Sequence, residues 1–276
     1  MALKLMYITN RPEVAAIAEN AGVDRIFVDM EYIGKSIRQG GMDTVQSHHT
    51  LDDVKSISKV LSKSELLVRV NPIHKAAADY TSSKEEIDGA IKSGAQILML
   101  PYFKTVSEVK EFVDTVDGRA KVMPLVETPE AAKRIEEIVK IDGIDELFIG
   151  LNDLSLGYGK KFMFELLSDG TIDRLTDVIK AQGIPFGFGG LASLNGGLLP
   201  GSMVLKEHYR LKSSSVILSR SFCNTSKHTD CEIKKIFDNG VSEIRQYEQQ
   251  LGEDTDYEGN RELVREAVQK IAEKQN

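Results

Sequence analysis

The chain is expected to fold as an α/β protein, a (β/α)8 TIM barrel with extra C-terminal helices. Three observations predict it. Eight short apolar runs recur: Lys4–Thr9, Arg25–Met30, Glu65–Val70, Ile97–Pro101, Lys121–Glu127, Glu146–Gly150, Pro185–Gly190 and Ser215–Arg220. Helix-like segments separate nearly all of them, and strand–helix alternation of this kind argues for parallel strands with crossover helices. Most runs end in a polar or ionisable residue, as expected where reactive groups collect at the C-terminal ends of barrel strands. Eight such rounds fit within 276 residues.

The elements follow in order. Pro12 to Ala21 reads as the first helix, with proline near its start and Gly22 as its stop. The second run ends acidic, at Asp29 and Glu31, and a long loop follows, Tyr32 to Thr50. Loops of that length inside compact domains are usually functional or disordered. Thr50-Leu51-Asp52-Asp53 caps the second helix. Ser82 and Ser83, followed by Glu85 and Glu86, open the third, and Gly94 closes it. Thr105 to Val113 is the fourth helix, and Thr128-Pro129-Glu130 starts the fifth. The sixth run leads into Asn152-Asp153-Leu154-Ser155.

Residues 1–224 are expected to form the barrel domain and residues 225–276 a C-terminal helical extension. Thr229 to Leu251 and Asn260 to Lys274 are charged and amphipathic. Ile233, Ile236, Phe237, Val241, Ile244 and Tyr247 form an apolar stripe on the first of them. It is expected to pack on a neighbouring subunit of a homo-oligomer; a solvated appendage is the alternative.

Composition narrows the function classes. The chain is 41% hydrophobic and 28% charged, which supplies one large core. A net charge of −7 without a basic patch argues against a nucleic-acid partner. The apolar runs are far too short for a membrane span. Met1-Ala2-Leu3-Lys4 leads straight into the first run, so no signal peptide and a cytoplasmic location are expected. Two cysteines, Cys223 and Cys231, fit neither a zinc knuckle nor a disulfide framework.

Asp29, Glu31, Arg69, Glu127 and Asp153 all fall at or just past strand ends. Several carboxylates and one arginine at one barrel mouth suggest a divalent-metal site for an anionic substrate. Glu127 and Asp153 would supply two oxygen ligands and leave Mg²⁺ or Mn²⁺ with open positions. The alternative is that each caps the following helix, which suits Asp153 in particular. A buried Arg69 is costly unless paired with an anion. Its planar fork suits a carboxylate or a developing enolate oxygen; a structural ion pair with Asp29 or Glu31 is the alternative.

These motifs occur in a familiar order: Phe27-Val28-Asp29-Met30-Glu31, Val68-Arg69-Val70-Asn71, Gly94-Ala95 before Leu100-Pro101, Val126-Glu127-Thr128, and Ile144 through Ser155. From about residue 4 to 224 the chain resembles the HpcH/HpaI aldolase and citrate lyase family of metal-dependent pyruvate aldolases. The resemblance implies a carbon–carbon lyase that makes or breaks an aldol adduct between a 2-oxo acid and an aldehyde through a metal-bound enolate. It implies Glu127 and Asp153 as Mg²⁺ or Mn²⁺ ligands and Arg69 at the keto oxygen. It also implies a homo-oligomer, a trimer or hexamer, in which terminal helices exchange between subunits.

One departure bears on mechanism. The family's aldolases carry histidine directly after the glutamate of the second-strand motif, where this chain has Tyr32. With a reference pKa of about 10, tyrosine is a poor base near neutral pH. His48 or His49 in the loop is expected to replace the missing base, with Asp29 in the same catalytic group; an exposed doublet is the alternative. Glu31, Tyr32, Asn152 and Gly190 are expected to touch substrate. So are Thr9, Asn10, Ser219 and Arg220, at the ends of the first and last runs. Lys35 and Arg38 could receive a phosphate or acidic tail of the substrate; solvated loop charges are the default alternative. Leu100-Pro101-Tyr102 would supply an apolar wall. Gly187 to Ala192 lacks a P-loop pattern and serves either substrate approach or tight packing. His74 and His208 are expected at the surface or behind the site, and Glu207 with Arg210 as a surface pair. Two other functions remain open: a citrate-lyase-like or malyl-CoA-like acyl-thioester lyase, and a catalytically altered barrel that binds a sugar acid.

Overall fold

The computed structural model describes residues 2–35, 47–252 and 255–274. Eight parallel strands close into one barrel in sequence order. They are β1 (Lys4–Ile8), β2 (Arg25–Asp29), β3 (Glu65–Arg69), β4 (Ile97–Leu100), β5 (Lys121–Val126), β6 (Leu147–Ile149), β7 (Phe186–Leu191) and β8 (Ser215–Leu218). Helices surround them: α1 (Pro12–Asn20), α2 (Leu51–Ser58), α3 (Ser83–Lys92), α4 (Val106–Val116), α5 (Pro129–Lys133), α6 (Ile135–Ile138), α7 (Leu151–Gly157), α8 (Glu165–Ser168), α9 (Thr171–Ala181), α10 (Gly201–Leu211), α11 (Asp230–Gln250) and α12 (Tyr257–Lys274). The fold is the (β/α)8 barrel that the eight runs predict. Among the described residues no helix is long and apolar enough to cross a membrane.

Helix starts follow local chemistry. Thr50, Ser82 and Thr105 each form a capping box with the acid three residues on. Thr128 caps α5 with Pro129 in its first turn. Gly22 and Gly94 end helices with positive φ, where a Cβ is unfavourable.

Period-two alternation along the strands divides the core. Ile26, Val28, Leu66 and Val68 face the helices. Met6, Phe27, Leu67, Met99, Met123, Leu125 and Phe148 fill the barrel. The same inward columns end in Asp29, Arg69 and Glu127 at the C-terminal mouth. At the opposite end, fully buried Arg25 donates to Glu146 and Glu65, each at 2.8 Å. Ion pairs thus close the barrel floor, and the mouth is left for chemistry.

The C-terminal region departs from expectation. The α11 stripe is spent inside the chain: Ile233, Phe237, Val241 and Ile244 are buried, and Phe237 meets the Tyr7 ring edge-on at 4.8 Å. α11 packs on α1, and Tyr209 of α10 donates to its Glu248. It follows β8 and packs on α1, in the place of the eighth barrel helix. α12 alone is additional, and it lies on α8 and α10. It buries Glu207, whose Oε1 accepts from Asn260 Nδ2 at 2.8 Å while its Oε2 accepts from Arg210. The expected surface pair is thus an interior clamp, because a helix distant in sequence covers it. His208 is likewise fully buried, stacked on Phe188 at 3.8 Å between centroids.

Candidate active site

The mouth holds a cavity of about 530 Å3. Asp29, His49, Arg69, Glu127, Asn152, Asp153 and Gly190 all line it. Strand register accounts for part of this convergence. Asp29 and Arg69 are directly paired positions on β2 and β3. Arg69 Nε and Nη2 donate to the two Asp29 oxygens, both at 2.8 Å, a fork-to-fork contact that fixes the guanidinium plane. Behind it the Phe27 ring lies 5.4 Å from the guanidinium carbon.

Glu31 is buried behind this pair, its Oε2 3.4 Å from both Arg69 Nε and Lys35 Nζ. Lys35, expected to receive a phosphate, is instead buried and donates to Asp29 Oδ2 at 2.9 Å. Arg38 lies outside the described residues. Tyr32 and His48 do not line the cavity; both are exposed. The Tyr32 and Ile33 amides donate to Asn71 Oδ1, which anchors the chain leaving β2.

Glu127 follows β5, and its Oε1 accepts the Tyr102 amide at 2.9 Å. Tyr102 has φ 50°, an unusual conformation for a side chain of this size. Leu100, Pro101 and Tyr102 do not line the mouth cavity, so the apolar wall expected of them is not found there; Tyr102 acts instead through its backbone amide. Burial pushes the Glu127 carboxyl up to about 8; Glu31 and Asp153 add to the rise and Arg69 opposes it. Asp153 lies in the first turn of α7, where the helix dipole favours a carboxylate. The Glu127–Asp153 pair also borders a second cavity of about 490 Å3, lined in part by Tyr102, Lys104 and Lys133.

The donor set fits a divalent cation. Within this cluster Arg69 and Lys35 face four carboxylates, those of Asp29, Glu31, Glu127 and Asp153, so the formal charge is balanced by one dication. Among the described residues no three His, Cys, Asp or Glu side chains are arranged as a metal cage. Two oxygen ligands with the remaining positions open suit a hard ion that also takes substrate oxygens.

Around the remaining rim, Thr9, Asn10, Ser219 and Arg220 line the cavity as expected. The glycine-rich strand divides its work. A Cβ at Gly187 would come within 2.2 Å of Ser215 Oγ, so that position serves packing. Gly190 opens onto the cavity. His74 is held by Pro72 O and Thr81 O, a role in loop structure.

A family model described as HpcH/HpaI aldolase/citrate lyase matches residues 4–167. No curated protein matches the chain. Among solved structures, an HpcH/HpaI aldolase from Desulfitobacterium hafniense DCB-2 is similar, with TM-score 0.60, 14% identity, and 92% of this chain and 95% of that one covered. An HpcH/HpaI aldolase/citrate lyase family protein from Burkholderia cenocepacia J2315 gives 0.58, 16%, 82% and 91%. The citrate lyase beta subunit from M. tuberculosis, complexed with oxaloacetate and magnesium, gives 0.55, 16%, 86% and 97%.

Proposed function

Because the chain belongs to the HpcH/HpaI aldolase/citrate lyase family, we propose that it is a divalent-metal-dependent carbon–carbon lyase acting on a 2-oxo acid. The observation that carries this reading is the meeting of Glu127, Asp153 and Arg69 around one cavity. Glu127 and Asp153 would hold Mg²⁺ or Mn²⁺, which acts as a Lewis acid toward a 2-oxo acid. The magnesium and oxaloacetate named for the M. tuberculosis subunit accord with this.

The chain's own residues then do four things. Arg69, immobilised by Asp29 through Nε and Nη2, keeps Nη1 outside that fork and would serve as a preorganised donor for the enolate oxygen. Tyr102 holds one Glu127 oxygen, which leaves the other to face the ion. Met99, Leu125 and Phe148 form an apolar floor that excludes water from beneath the reacting carbons. Thr9, Asn10, Ser219 and Arg220 supply a polar rim suited to a hydroxylated or anionic aldehyde.

The test is release of pyruvate from a panel of 4-hydroxy-2-oxo acids, with added Mn²⁺ or Mg²⁺ and with EDTA. Metal-dependent release supports the reading. Cleavage confined to an acyl-CoA substrate would move the protein to the acyl-thioester branch, and no release from any substrate would contradict lyase activity.

A further inference from the structure

The Asp29 amide donates to His49 Nδ1 at 3.0 Å. A backbone N–H only donates, so the ring nitrogen that meets it is the acceptor. In a neutral imidazole the proton then sits on Nε2. Burial lowers the His49 pKa; Asp29 and Asp53 oppose the shift, and Lys35 and Arg69 reinforce it. The ring therefore stays neutral at neutral pH. It lines the mouth cavity, and Nε2 is not among the enclosed, partnerless polar atoms.

A general base needs a lone pair aimed at the proton it takes. His49 offers none as it is held: Asp29 occupies the lone pair of Nδ1, and Nε2 carries the hydrogen. We propose that His49 serves the lyase reaction as a neutral hydrogen-bond donor, its Nε2–H directed at an oxyanion of the 2-oxo acid, and not as the proton acceptor expected from its place in the loop. The proposal rests on the 2-oxo acid reading. Asp29 then has two positioning roles. Its carboxylate fixes Arg69 so that Nη1 remains available, and its amide fixes the tautomer of His49. Arg69 and His49 line the same cavity as Glu127 and Asp153, and the two N–H donors together would form an oxyanion pocket there.

Two variants separate donor from base. In His49→Asn the amide oxygen takes the place of Nδ1 and no donor reaches the ε position. In His49→Gln the amide nitrogen reaches the Nε2 position. With the Mn²⁺-supplemented enzyme, His49→Gln is expected to keep kcat within about tenfold and to retain the acidic limb of the pH–rate profile. His49→Asn is expected to lose on the order of 10²-fold in kcat. Equal loss in both variants, with the acidic limb abolished, would overturn the proposal in favour of a base. Ring ¹H–¹⁵N correlation spectra of the wild type decide the tautomer independently of activity: Nε2–H at pH 7 is expected, and Nδ1–H or imidazolium would overturn the proposal. If the wild type handles no 2-oxo acid while the ring still shows Nε2–H, it is the functional reading that fails.

Discussion

A Cβ placed on Gly150 would stand 2.9 Å from Glu127 Oε2 and 2.8 Å from Glu127 Cβ. Gly150, at the end of β6, thus leaves the space in which the β5 carboxylate lies. Gly150→Ala is expected to displace Glu127 and to weaken Mn²⁺ binding by about tenfold or more. Overpacking of this kind costs about 1–3 kcal/mol of stability. Electron paramagnetic resonance titration with Mn²⁺, run beside thermal unfolding, separates the two effects.

Arg69→Lys keeps the charge and loses the fork. The two 2.8 Å bonds to Asp29 need a planar guanidinium, which an ammonium cannot imitate. We expect kcat to fall by on the order of 10²-fold, the loss typical of one oxyanion donor. Mn²⁺ affinity should change little, because Arg69 is not a ligand. Steady-state kinetics at saturating metal check this.

His208 sets an acid limit on stability. Burial lowers its pKa to about 3, so the folded state holds it neutral. Between about pH 6.5 and 3 the unfolded chain binds one more proton, so stability is present above that window and is lost as pH falls through it. From pH 7.5 to 5 this linkage removes about 2 kcal/mol. His208→Gln should lose that much less over the same interval in urea unfolding, and an unchanged pH dependence would refute the assignment.

Asn260 ties α12 to the barrel through Glu207. Asn260→Ala leaves a buried carboxylate oxygen short of a donor, at a cost of about 1–3 kcal/mol. The urea midpoint should drop accordingly without loss of the mouth geometry.

The fold was legible because periodicity is local. Runs such as Arg25-Ile26-Phe27-Val28-Asp29 alternate between barrel interior and helix layer, and their last inward residue falls at the mouth. Glu127 and Arg69 were readable for that reason, and Asp153 because it opens the helix directly after β6. The state of Lys35 was not, since its partners become visible only once the chain after β2 folds back over Asp29. Glu207 and Arg210 resembled a surface pair because i, i+3 spacing carries no information about α12, some fifty residues on. The Tyr102 donor was hidden too, being a backbone group whose direction depends on a positive φ. The α11 stripe was visible, but which surface it would cover was not.

The most direct test of the central claim is exchange of the pyruvate C3 protons in D2O, followed by NMR with Mn²⁺ or Mg²⁺ and with EDTA, for the wild type and Glu127→Ala. The account predicts exchange that requires the metal and is lost in the variant. Exchange that persists in EDTA or in Glu127→Ala, or no exchange with pyruvate or any other 2-oxo acid, would contradict it.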